Sequence, residues 1–173
     1  MEILADFIKI LLPAAVVLFA MYLTVKTFVT KDFEKKLVDL KSENTKIILP
    51  LRLQAYERMC LFLERISLHN LVVRVNNPAY NSSALQHKIL GEIREEFNHN
   101  LSQQVYMSDQ SWALVRQSME ETIAIVNKSA SVIPPDERSL ELAKMIFENL
   151  LQRTEDPTAR ALKFIKNEIR QVF

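Results

Sequence analysis

This sequence predicts an all-α protein: an N-terminal transmembrane helix and a helical stalk, followed by a helical bundle of about five helices. Three observations carry the prediction. The 173 residues include one glycine, Gly91, whereas glycine averages about 7% of protein residues, and hairpin turns, bulges and phosphate-cradling loops all draw on it. Residues Ile10 to Val25 carry no charge at all. From Ile47 onward, apolar residues recur at three- and four-residue steps, in blocks separated by Asn-, Ser- and Pro-containing breaks.

The anchor comes first, over residues 1–29. Phe7, Ile8, Phe28 and Val29 extend the apolar run past Lys9 and Lys26. Lysine stems are long enough to carry their charges out to the headgroups. Phe7 to Val29 is then long enough to span, since about 20 residues suffice. Pro13 sits near one end, where a lost backbone bond costs little. Glu2 and Asp6 spoil the basic leader that a cleaved signal peptide requires, and no small-x-small cleavage site follows the apolar run. The N-terminal side of the uncharged core offers only Lys9, whereas the other side offers Lys26, Lys31, Lys35, Lys36 and Lys41. Positive flanks stay inside, so a cytoplasmic C-terminal domain is expected. The Asn-x-Ser triplets at Asn81, Asn100 and Asn127 are then polar triplets rather than glycosylation sites.

Residues 30–46 read as the stalk. Phe33, Leu37, Leu40 and Ile47 follow at steps of four, three and seven, with Asn44 at the intervening position. This is the d-a-d pattern of a short parallel coiled coil, in which a buried asparagine fixes register, so Phe33, Leu37, Leu40, Asn44 and Ile47 are candidates for self-association. The pattern stops at Gln54 and Arg58. A solvated linker helix is the alternative.

The domain covers residues 47–173. In its first segment, Ile47 to Ser67, Leu49, Leu53, Tyr56, Cys60 and Leu63 share a face that Met59, Phe62 and Ile66 widen, the pattern of a central helix. Pro50 suits a helix start, placing a hinge at Leu49-Pro50. Leu68 to Ser83 is rich in turn formers, and Leu71 to Val75 is β-branched without a strand to pair with, so packed loop is expected there. Leu85, Ile89, Ile93, Phe97 and Leu101 mark a helix over Ala84 to Tyr106. Ser108 or Asp109 caps the next, Gln110 to Ala130, with Trp112, Val115, Met119, Ile123, Val126 and Ala130 as its face. Pro134-Pro135-Asp136 is a boundary, after which Leu140, Ala143, Phe147, Leu150 and Leu151 mark a further helix. Glu155-Asp156-Pro157 starts the final helix, which buries Leu162, Ile165, Ile169 and Val172. Its opposite side carries Arg160, Lys163, Lys166 and Arg170 in one stripe, a candidate contact with an anionic membrane surface.

Function classes narrow accordingly. Net charge is +1, and no basic concentration of the kind nucleic-acid binders show is present, so no nucleic acid is expected. Cys60 stands alone and cannot form an internal disulfide or a structural zinc site. Glu96-x-x-His99 has di-iron spacing, but neither His69 nor His87 has a glutamate three residues before it. No nucleophile elbow, phosphate loop or dinucleotide fingerprint occurs. No catalytic, cofactor or metal residue is assigned. Two function classes remain: a membrane-tethered interaction or scaffold module with an unknown protein partner or a second copy, and an enzyme or ligand-binding bundle with a polar interior site.

Leu49-Pro50-Leu51-Arg52-Leu53-Gln54-Ala55-Tyr56-Glu57-Arg58, Glu95-Glu96-Phe97-Asn98-His99-Asn100-Leu101-Ser102-Gln103-Gln104 and Trp112 resemble an uncharacterised family of small bacterial membrane-anchored proteins, over most of the chain. The resemblance implies an anchor plus helical domain at the bacterial inner membrane. It brings no activity, and no residue roles come with it.

Overall fold

The computed structural model describes the backbone of residues 2–171 and the side chains of residues 11 and 14–171. Helices dominate: α1 Glu2–Ile66, α2 Leu68–Val75, α3 Ser82–Asn100, α4 Asp109–Ala130, α5 Ser139–Leu151 and α6 Pro157–Arg170, with a short 3-10 helix at Leu101–Tyr106 between α3 and α4. Among the described residues there is no strand, only one isolated bridge between Asn81 and Arg138. The all-α expectation is met. The chain divides into two units, Met1–Leu49 and Pro50–Phe173.

In the first unit every described side chain from Ala14 to Ile48 is exposed. This stretch of α1 is long and apolar enough to cross a membrane. Thr24, Thr27 and Thr30 each turn their hydroxyl back to the carbonyl four residues earlier, at 2.8 Å. Each hydroxyl is thereby satisfied within the helix itself.

The second unit is a bundle around the last part of α1. Ala55, Tyr56, Met59, Phe62, Leu63 and Ile66 are buried there, and Leu53 and Cys60 are half-buried. The spacing of one, three, three, one and three gives a broad helical face rather than a stripe, so several helices pack on it. Leu85, Ile89 and Ile93 of α3 and Leu142 and Ile146 of α5 join the core. Each such side chain contributes roughly 1.5–3 kcal/mol by leaving water. Phe62, Phe97 and Trp112 form an aromatic run, with centroid separations of 5.9 and 5.5 Å.

Several expectations need correction. Leu68–Val75 is helical, not packed loop. Leu68, Leu71 and Val72 are buried at steps of three and one. That pattern suits a helix face, and burial outweighs the weak β preference of the valines. The buried face of α4 is Ser111, Val115, Ser118, Thr122, Ile125, Val126 and Ser129. Trp112, Met119, Ile123 and Ala130 flank it, half-buried. Small hydroxyl residues at the centre let neighbouring helices approach, and Thr122 and Ser129 satisfy their own hydroxyls on the carbonyls of Ser118 and Ile125 at 2.8 and 2.9 Å. On α5 the buried face is Ser139, Leu142, Ala143 and Ile146, leaving Leu140 and Leu151 exposed. The helix after Ser83 closes at Asn100 and tightens to 3-10 geometry, where no side chain is buried to hold an α-helical turn. On α6, Leu162 and Ile165 are buried and Ile169 is half-buried; Val172 lies outside the described residues.

The boundaries have local causes. Asn81 accepts from the Ala84 amide at 2.8 Å, and Ser108 from that of Ser111 at 3.1 Å. Asp156 accepts from the Thr158 amide at 2.7 Å, with Pro157 in the first turn. The segment before α5 is tied back to the start of α3: Ser82 N donates to Glu137 O at 2.7 Å, and Ser139 N to Tyr80 O at 3.1 Å.

Candidate interaction surface

The bundle keeps its charges at the rim. Glu96 pairs with Arg65 at 2.5 Å, and Glu92 with Lys88 at 2.8 Å and Arg74 at 3.5 Å. These pairs share the open side of α3 with His99, which is exposed. Glu92, Glu95, Glu96 and His99 line a shallow groove of about 280 Å³, and Glu57, Arg58, Leu61, Arg65, Glu96 and His99 line another of about 340 Å³. Glu92 is held below its ordinary carboxyl value, first by the Lys88 hydrogen bond. Among the described residues no three metal-ligating side chains converge, and Glu96 faces Arg65 rather than a histidine of another helix.

A polar node joins α1, α4 and α6. Ser111 Oγ donates to the Glu168 carboxylate, and Arg52 Nε donates to the Tyr106 carbonyl at 3.3 Å. Burial alone would raise the Glu168 carboxyl. The Ser111 and Ser108 hydroxyls, the nearby Tyr56 hydroxyl and the Arg52 charge outweigh it and hold the group below its ordinary value. Tyr56 is 2% exposed, and its hydroxyl has no hydrogen-bond partner of acceptable geometry. Burial, then the Glu168 carboxylate, push its pKa up. A second node lies on α4 and α6. Glu121 takes Arg160 at 2.6 Å, Arg153 at 3.2 Å and the Gln117 amide at 2.8 Å. Burial works against ionisation there, and the Arg160 and Gln117 hydrogen bonds win, so Glu121 is held below its ordinary value.

One family model, described as a family of unknown function (DUF7935), matches residues 2–172. The chain belongs to DUF7935. Neither a curated protein nor a solved structure matches it.

Two groups of residues singled out in the DUF7935 sequence can now be placed. Phe33, Leu37, Leu40, Asn44 and Ile47 all stand exposed on the α1 stretch of the first unit, with Phe33 at 66% and Ile47 at 67%. Of the α6 stripe, Lys163, Lys166 and Arg170 are exposed. Arg160 is drawn to Glu121 and belongs to the packing between α4 and α6. Glu168, the one acid of α6, turns inward to Ser111. Sequence reasoning missed both nodes. A lone Glu168 within a basic helix was the available signal, since an acid at a half-buried register calls for a partner.

Proposed function

We propose that this chain is a single-pass protein of the bacterial inner membrane whose helical domain is held in the cytoplasm as a protein-interaction module. Self-association through the stalk as a parallel homodimer is part of the reading. The observation that carries it is the exposure of every described side chain from Ala14 to Ile48, apolar ones included. A lone helix of this length with bare apolar residues needs covering. Lipid covers the span; a second stalk covers Phe33, Leu37, Leu40 and Ile47. Asn44 at the intervening position favours two strands in one register. Tethering adds to this, because chains confined to a membrane meet at raised effective concentration. The five lysines from Lys26 to Lys41 favour the cytoplasmic orientation. Open grooves with paired rim charges, rather than a deep polar pocket, favour an interaction surface over an interior reaction site.

A cytoplasm-dependent reporter fused after Phe173 gives signal on this reading; activity only from a periplasm-dependent reporter overturns the orientation. Cysteine at Leu40 gives a disulfide-linked dimer in membranes; no crosslink at any stalk position overturns self-association.

A second reading rests on α6. With Glu168 turned inward, its outer face presents Lys163, Lys166 and Arg170 without an acidic partner among the described residues. Each such charge near an anionic leaflet contributes about 1 kcal/mol. Binding to anionic vesicles, weakening as salt rises and lost when the three become glutamine, is the expected result. Indifference to anionic vesicles at low salt leaves the face merely solvated.

A further inference from the structure

The helical face that α1 turns away from the bundle core repeats the stalk's spacing. Counted in sevens from Phe33 along the sequence, Leu51, Gln54, Arg58 and Leu61 occupy the next a, d, a and d positions, and Arg65 the one after. In the second unit all five are exposed, whereas Ala55, Tyr56, Met59, Phe62 and Leu63, between them, are buried. Steps of three, four, three and four put the five on one stripe. Leu61 is 57% exposed on it, beside the groove against α3.

We propose that this stripe, from Leu51 to Leu61, is an interface for a second copy of the chain, which meets it with the same stripe in parallel. The proposal rests on the stalk self-association argued above and extends it into the folded domain. Charge pattern selects the occupant. In parallel two-helix packing each a-position side chain enters a hole formed by neighbouring a, d and g residues of the facing helix. For Arg58 that hole is made of Gln54, Glu57, Arg58 and Leu61 of the second copy. Two arginines meeting across the axis would repel. The two Glu57 carboxylates beside them cancel that charge, so the layer is neutral and each guanidinium has an acceptor. Neither Glu57 nor Arg58 has an ion-pair partner within its own chain among the described residues, whereas Arg65 is already engaged by Glu96. The stripe therefore closes on itself by two-fold symmetry, with Leu51 and Leu61 as its apolar layers.

The test uses the full-length chain in membranes, with Cys60→Ala as background and single cysteines at Leu40, Leu61 or Val73. Val73 is 69% exposed on α2 and serves as the off-stripe control. Oxidation should link Leu40→Cys and Leu61→Cys chains to themselves and leave Val73→Cys monomeric. Adding Glu57→Arg should cut the Leu61→Cys crosslink roughly tenfold through like-charge contact, and adding Arg58→Glu as well should restore it. Fluorescence of Trp112, which lies in the bundle, verifies folding of each variant. Crosslinking at Leu40 with Leu61 no better than Val73 overturns the bundle interface and leaves the stalk dimer standing. Failure at both positions overturns both. Capture of a different protein at Leu61, or no rescue by the double charge exchange, also overturns it.

Discussion

Replacing Tyr56 with phenylalanine should stabilise the bundle, although it removes a polar group beside a carboxylate. The Tyr56 ring is buried, and its hydroxyl, although close enough to Glu168 to help lower that carboxyl, makes no hydrogen bond of acceptable geometry. An unsatisfied buried hydroxyl costs roughly 1–3 kcal/mol. Deleting its oxygen leaves a gap on the order of 10–15 Å³, which at about 24 cal/mol per Å³ returns only about 0.3 kcal/mol of destabilisation. Glu168 keeps its hydrogen bond from Ser111 in the variant. The net expectation is a gain of about 1 kcal/mol, or a rise of a few degrees in Tm for a bundle of this size. Trp112, the sole tryptophan, stacks on Phe97 inside the bundle, so its fluorescence follows unfolding of the second unit without interference from the anchor. Urea titrations of the full chain in detergent, with and without Tyr56→Phe, compare the midpoints directly. A loss of more than about 1 kcal/mol would refute the reasoning, because it would mean the hydroxyl holds Glu168 as a working hydrogen bond.

Further expectations follow from the rim and from the helices. Gly91→Ala should stabilise by about 0.5–1 kcal/mol, because the position lies inside α3 and an added Cβ meets nothing within 4 Å; an unchanged or lower midpoint would contradict it. Glu121→Ala should destabilise by about 1 kcal/mol, discounted from a buried-pair value because Arg160 and Arg153 are more than a third exposed and can turn to water. A double-mutant cycle with Arg160→Ala measures the coupling, and zero coupling would dismiss the contact. Glu121, Glu168 and Glu92 are all held below the ordinary carboxyl value of 4.5. Unfolded carboxyls bind protons first as pH falls, so the stability these groups contribute is full above about pH 4.5 and is lost below it. A urea midpoint that fell steadily from pH 8 to pH 5 would point to other groups.

Much of the fold was legible because helices announce themselves by spacing. Leu85, Ile89 and Ile93 sit where four-residue steps put them, and Asp156-Pro157 starts α6 as its chemistry requires. What was not legible depends on neighbours. The helical state of Leu68–Val75 comes from burying Leu68, Leu71 and Val72 against the bundle, a cost and gain that no local propensity contains. The α4 face looked apolar through Trp112 and Met119, yet close packing selected Ser111, Ser118 and Thr122. Arg160 fell in register with Lys163 and Lys166, but Glu121, 39 residues earlier, decides where it goes. The stripe from Leu51 to Leu61 was hidden for the opposite reason. Gln54 and Arg58 looked like the end of a seam, and only the burial of the residues between them shows that the same face stays bare.

Among the described residues no backbone adopts a positive φ, and the single glycine is helical. The consequence lies in the unfolded chain. Glycine gives a denatured polypeptide its widest freedom, and proline its least. With one glycine in 173 residues, the disordered form of this protein is comparatively stiff and has less freedom to surrender on folding. Its turns need no position where a side chain is forbidden. Each loop can therefore take a substituted or labelled residue without backbone strain, so spectroscopic probes can be walked through every connection of the bundle.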